Sequence, residues 1–355
     1  MRRVKFILAL QLTILVASGF TACTDYDDNP ADSQSYAGVP LIILDTDIGS
    51  STDDLFAMQM LHRYHDEGRC RLLGTVVNRE GEDCAACADV MNTYFHHGDL
   101  PIGLIRNGIK TPKVWIDYQN LPNHTLADGS PMFARTLSDY ASLPDGWQLY
   151  RRLLAAQPNH SVSIVSIGFV CCLAQLLESE ADELSPLDGP ELVRQKVKCL
   201  YIMGGVFGDA VEKKEYNFLQ GIGFAQTLFR LWPSEVDIIF TPGEAGDGIA
   251  YTPEQVIADV DWTDNHPIKQ VYMNYECDTG QKMWDLLAVI NAVEGDSLFT
   301  LSERGTVSVT DDAETVFTAS PTGNCRYQKP GDATWNAAML ERVRSVNRLY
   351  SRPDY

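Results

Sequence analysis

The feature that most constrains the fold is a repeated alternation along the chain. Short runs dense in Val, Ile and Leu recur at residues 41–44, 71–77, 102–105, 162–167, 199–203 and 236–240, each followed by a polar break and a loop or a segment of helical length. A strand covered on both faces reads as a near-continuous apolar run, and a helix-length connection lets successive strands pair in parallel. The sequence therefore predicts an α/β fold, an open, mostly parallel sheet flanked by helices, with the first helix at 53–64. Near the C-terminus, 306–309 and 315–318 alternate apolar and polar residues around Asp311-Asp312, which predicts a small C-terminal β-hairpin addition. No internal repeat and no linker beyond Gly38 interrupts the pattern, so 39–355 reads as one domain, large enough to bury a sizeable core.

The N-terminus reads differently. Met1-Arg2-Arg3-Val4-Lys5, an apolar run over 6–16 and small residues before Cys23 have the three-part layout of a secretory signal. The run is short of the roughly 20 residues that a spanning helix needs. Phe20-Thr21-Ala22-Cys23 resembles a bacterial lipobox, with Phe20 where Leu is usual. That resemblance implies a lipoprotein signal peptide over 1–22, lipidation of Cys23, and export to the bacterial cell envelope, periplasm or outer membrane, with membrane contact only through the lipid. An ordinary signal peptide with an incidental Cys is the alternative. Residues 23–38, rich in Asp, Ser, Asn and Pro, read as a flexible tether. Eight cysteines follow Cys23, in a compartment where disulfides can form, and their pairing is open. Cys84-Ala85-Ala86-Cys87 has no second ligand pair at zinc spacing, so it is expected on a helix as packing or a local disulfide. A formal charge of -20 argues against nucleic acid as a partner.

The chemistry concentrates where the first run ends. Asp45, Asp47, Asp53 and Asp54 fall within ten residues that leave a strand, turn at Gly49 and enter a helix. Carboxylates so close repel one another unless a cation sits among them, and hard oxygen donors suit Ca²⁺ or Mg²⁺. A capped helix start, with Thr52 or Asp53 as the cap, accounts for Asp53 and Asp54 but leaves Asp45 and Asp47 unexplained. In open α/β sheets ligands bind beyond the carboxyl ends of the strands. The residues at those ends are therefore candidates too: Asn78, Gly168 onward, Gly204-Gly205 and Thr241.

Asp45-Thr46-Asp47-Ile48-Gly49, followed by Asp53-Asp54-Leu55-Phe56-Ala57-Met58, resembles the N-terminal signature of the inosine-uridine-type nucleoside hydrolases. The spacing resembles a longer variant of that signature, with Ser51 where another Asp is common. Further resemblances follow in family order. Val76-Val77-Asn78 resembles a strand whose Asn contacts ribose. Gly168-Phe169-Val170-Cys171-Cys172 resembles the turn that offers calcium a backbone carbonyl, here that of Cys171. Gly204-Gly205 with Glu215-Tyr216-Asn217-Phe218 resembles the Glu-x-Asn motif that holds the ribose hydroxyls, with Gly221 where an Asp is usual. Trp284-Asp285-Leu286-Leu287-Ala288-Val289 resembles the final signature in its Trp-Asp form, where purine-accepting members often carry His before the Asp; for Asp285, a helix N-cap is the plain alternative.

The resemblance implies calcium-dependent hydrolysis of the N-glycosidic bond of ribonucleosides or related ribosides, through an oxocarbenium-like centre. It implies Asp47 as general base and metal ligand, Asp54, Asp285 and the Cys171 carbonyl as further ligands of Ca²⁺, and Asp53, Asn78, Glu215 and Asn217 on the ribose. Trp284 is expected either to stack on the base or to pack in the core. No histidine among 62, 65, 96, 97, 124, 160 and 266 falls on an acid position, and all seven are expected at the surface. Two other readings stand beside this one. A haloacid dehalogenase-like phosphatase would use Asp45 as nucleophile. A nucleoside- or sugar-binding lipoprotein would retain the site without catalysis. The expected partner in solution is a small nucleoside or riboside, with a homo-oligomer possible.

Overall fold

A computed structural model of the chain describes residues 38–110, 116–208, 214–275, 277 and 280–350. The expected signal segment, Cys23 and all but the last residue of the tether lie outside them.

Six parallel strands form the centre: β1 (Leu41–Thr46), β2 (Arg71–Arg79), β3 (Ile102–Ile109), β4 (Val162–Ser166), β5 (Val197–Met203) and β6 (Asp237–Thr241). They lie in the order β3-β2-β1-β4-β5-β6. β7 (Ala250–Tyr251) and β8 (Gln281–Lys282) make a separate antiparallel pair. The expected hairpin is present as β9 (Gly305–Val309) and β10 (Thr315–Ala319). It is joined to the main sheet by β11 (Cys325–Tyr327), which runs parallel to β6 and meets β9 antiparallel, so that one sheet of nine strands results.

Side chains on each central strand alternate between two covering layers, as the two-residue period of a strand requires. Ile42 and Leu44 of β1 join the core that includes helices Asp53–Asp66, Glu82–Tyr94 and Trp284–Glu294, whereas Ile43 joins the core that includes helices Gly146–Ala155, Cys171–Glu178 and Ile222–Leu231. All three side chains are fully buried, each stabilising the fold by about 1.5–3 kcal/mol. Helix Asp53–Asp66 packs on helix Trp284–Glu294 and is buried on nearly every face. Among the described residues, no helix is long and apolar enough to cross a membrane.

Two expectations change here. His62 and His266 are fully buried rather than at the surface. The His62 ring stacks on Phe95 and His97, while His266 caps helix Pro267–Asn274 by accepting from the Ile268 amide. The eight cysteines after Cys23 are all buried, and those at 84 and 87 are unpaired, which decides for packing there on helix Glu82–Tyr94.

The strand order places the switch point between β1 and β4, since the chain proceeds from β1 to β2 and β3 on one side and resumes with β4 on the other. The crevice beyond the carboxyl ends of these two strands is where such a sheet binds ligands.

Candidate active site

Two acidic residues leave β1 in different directions. Asp45 turns inward, where it is fully buried and accepts hydrogen bonds from Tyr150 Oη at 2.8 Å, Ser166 Oγ at 3.1 Å and Asn78 Nδ2. Burial pushes its carboxyl up to about 7 in spite of those donors. Asp45 is sealed behind the crevice, where a phosphatase nucleophile could not work. Asp47 instead lines a cavity of ≈ 360 Å³. The neighbouring turn must be glycine, because a Cβ on Gly168 would stand 2.5 Å from the Asp47 amide and from its Oδ1.

Asp53, Asp54 and Asp285 meet in the same cavity, each offering a carboxylate oxygen within 4.8 Å of the others. They converge because helices Asp53–Asp66 and Trp284–Glu294 pack side by side and begin at the same crevice. The capping alternative does not account for them. Thr52 makes no side-chain cap bond and meets the Tyr272 hydroxyl at 3.0 Å, and the cap of the second helix is Met283 rather than Asp285. Ser51, in left-handed backbone at φ 58°, donates from Oγ to Asp53 Oδ1 at 2.6 Å, and Gln281 Nε2 reaches the same oxygen at 3.2 Å. Thr46 Oγ1 donates to Asp54. The chain thus places a hydroxyl at position 51 that orients a carboxylate instead of adding one.

Burial is the first cause that raises all four carboxyls, Asp47 to about 7, Asp53 to about 6, and Asp54 and Asp285 well above the ordinary range. Repulsion among the four raises Asp54 and Asp285 further. Arg79, at the end of β2 and only 3% exposed, draws Asp47 and Asp54 back down. One guanidinium cannot balance this set. Buried, mutually repelling oxygen donors at the carboxyl ends of strands fit a divalent cation of the hard class.

On the segment after β5, Glu215 and Asn217 also line the cavity. Glu215 caps helix Tyr216–Gln220, accepting from the Asn217 amide at 2.7 Å and the Phe218 amide at 3.0 Å, and burial lifts its carboxyl to about 7. Asn217 Nδ2 lies 3.3 Å from Met203 Sδ and 3.4 Å from its carbonyl. A Cβ at Gly221 would come within 2.6 Å of Ile109 Cδ1, so an Asp there would require the Ile109 side chain to move. Trp284 opens its helix half-buried on the cavity wall, and its Nε1 donates to Asp247 Oδ1 at 3.2 Å.

Two expected site residues are not on that wall. Asn78 gives Nδ2 to Asp45 and accepts the Phe169 amide on Oδ1 at 3.0 Å, so it ties β2 to β1 and to the turn after β4 from behind. The ribose contact was expected of this residue, which is fully buried here with one hydrogen bond at each polar atom and does not line the cavity. Cys171, fully buried at the start of helix Cys171–Glu178, sets its thiol 3.0 Å from the Asn78 carbonyl and does not line the cavity either. Conversely, Tyr216, Glu244 and Asp247 line the cavity and Arg79 stands behind it, none of them singled out from the sequence. For Arg79 the signal was present, since it directly follows Asn78 at a strand end.

Comparison with known proteins agrees with this geometry. No curated protein matches the chain. Among solved structures, a plant nucleoside hydrolase is similar with a TM-score of 0.65 at 16% identity, covering 86% of this chain and 98% of the other. A purine-preferring ribonucleoside hydrolase from Gardnerella vaginalis reaches 0.63 at 14% identity over 87% of this chain and 99% of its own. The type III effector protein XopQ, solved with adenosine diphosphate ribose, reaches 0.63 at 16% identity over 90% and 98%. At these identities the likeness is one of fold, but residues 42–344 also match the sequence profile of the inosine-uridine preferring nucleoside hydrolases, most of the chain. The chain therefore belongs to the inosine-uridine preferring nucleoside hydrolase family, metal-dependent enzymes that hydrolyse the N-ribosyl bond.

Proposed function

We propose that the protein is a calcium-dependent hydrolase of ribonucleosides or related ribosides, exported and held in the bacterial cell envelope by a lipid on Cys23. The observation that carries the catalytic part is the convergence of Asp53, Asp54 and Asp285 beside Asp47 in a cavity whose other side presents Glu215 and Asn217. Asp47, Asp54 and Asp285 would hold Ca²⁺, whose bound charge lowers the pKa of a neighbouring water and orients the sugar hydroxyls. Asp47, which lines the cavity beside the expected ion, takes a proton from the water that attacks the anomeric carbon. Gly168 fixes the position of Asp47 by its close approach.

Asp53, oriented by Ser51 and Gln281, and the Glu215–Asn217 pair hold the two sides of the ribose. Fixed polar contacts that tighten as the ring flattens contribute to the transition state rather than to the ground state. Asn78 serves as a positioning residue through Asp45 and the Phe169 amide. Trp284 offers an aromatic face to the leaving base, and the indole N–H is held by Asp247.

The test is a panel in which the mature chain is incubated with ribonucleosides and p-nitrophenyl riboside, with Ca²⁺ or with chelator, while free base and reducing sugar are measured. Turnover that requires Ca²⁺ is the expected result. Ligand binding with no product would replace this reading with a binding lipoprotein. Incorporation of labelled fatty acid that is lost in Cys23→Ser tests the anchor.

A further inference from the structure

Arg79 is the one feature of the site that a cation-binding role for the acidic cluster does not itself require. It ends β2 directly after Asn78 and is 3% exposed, and its Nη1 is buried with no hydrogen-bond partner. That atom lies 3.7 Å from where a Cβ on Gly49 would stand, against the apex of the loop that carries Asp47. It does not line the cavity, so it is not placed to touch a substrate. A buried guanidinium with an unused donor is costly unless a field of opposite sign holds it there.

The groups that supply such a field are Asp47 and Asp54, whose carboxyls Arg79 lowers. Cys84 and Cys87, from helix Glu82–Tyr94, are lowered by it as well, and they are neutral thiols because burial raises them. From the other side, Tyr118 is fully buried against the same two carboxylates with its hydroxyl unpartnered. Arg79 Nη1 makes no hydrogen bond, and what reaches Asp47 and Asp54 from it is its charge.

We infer that Arg79 is a built-in counter-cation of the acidic cluster, which keeps the metal-free site folded and competes electrostatically with the divalent ion that the cluster binds. This rests on the reading of the cluster as a cation site. The inference carries a sign that a merely structural role does not. A fixed positive charge near the site opposes the arrival of another, so its removal should tighten binding of the ion while weakening the empty protein. A residue that only shaped the loop would, on removal, loosen both.

Calorimetric titration of the full-length protein with Ca²⁺ at pH 8.5 separates these outcomes, with thermal unfolding in chelator as the second measurement. Arg79→Met should bind Ca²⁺ at least about tenfold more tightly than the unaltered protein and unfold at a lower temperature in chelator. Arg79→Lys, which keeps the charge, should stay within about threefold of the unaltered affinity. Equal or weaker binding by Arg79→Met overturns the inference while leaving the cation site intact. Failure of the unaltered protein to bind any divalent ion overturns the cation site, and the inference with it. If Arg79→Met does not fold, Arg79→Lys decides: a change beyond tenfold shows that the geometry of the fork and not its charge matters.

Discussion

The molecule buries charge in two places and treats it in opposite ways. Arg151, on helix Gly146–Ala155, is fully buried, and its donors are all engaged by the protein. Nε and Nη2 form a fork on Asp182 at 2.9 and 2.8 Å, Nη1 reaches Ser179 Oγ at 3.0 Å, and Nη2 also bonds the carbonyls of Ser185 and Leu187, each at 3.0 Å. In the crevice at the ends of β1 and β4, Asp47, Asp53, Asp54 and Asp285 are buried together, and Arg79, itself buried, draws down only Asp47 and Asp54. A structural charge is satisfied within the chain. A functional one is left for something that arrives.

The largest effect expected from breaking this contrast is on chemistry. Asp47→Asn should lower turnover by about 10²–10⁴-fold while leaving the metal-free protein at pH 7 as stable as before or more so, as read by denaturant unfolding with chelator. Loss of stability with turnover intact would put Asp47 in the structural class. Arg151→Met should do the reverse. Removing one partner of a buried pair strands the others, and since Asp182 is partly solvated the cost should lie near the lower end of the range, about 3 kcal/mol. That loss should be the same with and without Ca²⁺.

A smaller effect follows from the carboxyls themselves. Those of Asp47, Asp53 and Glu215 are raised in the folded state to about 7, 6 and 7. They thus favour the metal-free fold below the ordinary carboxylate range and withdraw that support as pH rises from about 4 to 7. Ca²⁺ present at a hundredfold excess over its Kd should restore about 2.7 kcal/mol at pH 7, and much less at pH 4.5, where protons compete. A melting shift that did not depend on pH would contradict the placement of the ion among these groups.

The smallest effect comes from His62, which burial lowers to about 3. A depressed histidine supports the fold above the ordinary value near 6.5 and withdraws support as pH falls toward 3. The stability advantage of His62→Leu should therefore grow by up to about 1.4 kcal/mol over the first pH unit below 6.5. Parallel pH profiles for the two proteins would refute this.

Much of this arrangement was legible in the residues, and the limits were physical. Runs of Val and Ile located all six parallel strands, but β1 and β2 continue through Asp45-Thr46 and Asn78-Arg79, because pairing with neighbours outweighs the polarity of those side chains. β11 escaped because three residues carry no periodicity and are defined only by their partners, β6 and β9. Asp45 and Asp47 stood out because a capped helix start explains only Asp53 and Asp54, whereas Asp285, far along the chain, was named only through its resemblance to the family's final signature. The bond from the Asn78 amide to Asp45 was not legible, since no local pattern joins residues so far apart in sequence. Arg79 and His62 were missed for one reason: charged and titratable side chains read as solvated, and only the tertiary fold puts them inside.

The central claim is that the buried carboxylates beyond β1 are a divalent-cation site. Crystals grown with Ca²⁺ and measured for anomalous scattering test it directly. The account predicts one strong peak in contact with Asp47, Asp54 and Asp285, at the roughly 2.3–2.6 Å typical of calcium and oxygen. An empty crevice under Ca²⁺ saturation, or a peak held by other residues, would contradict it.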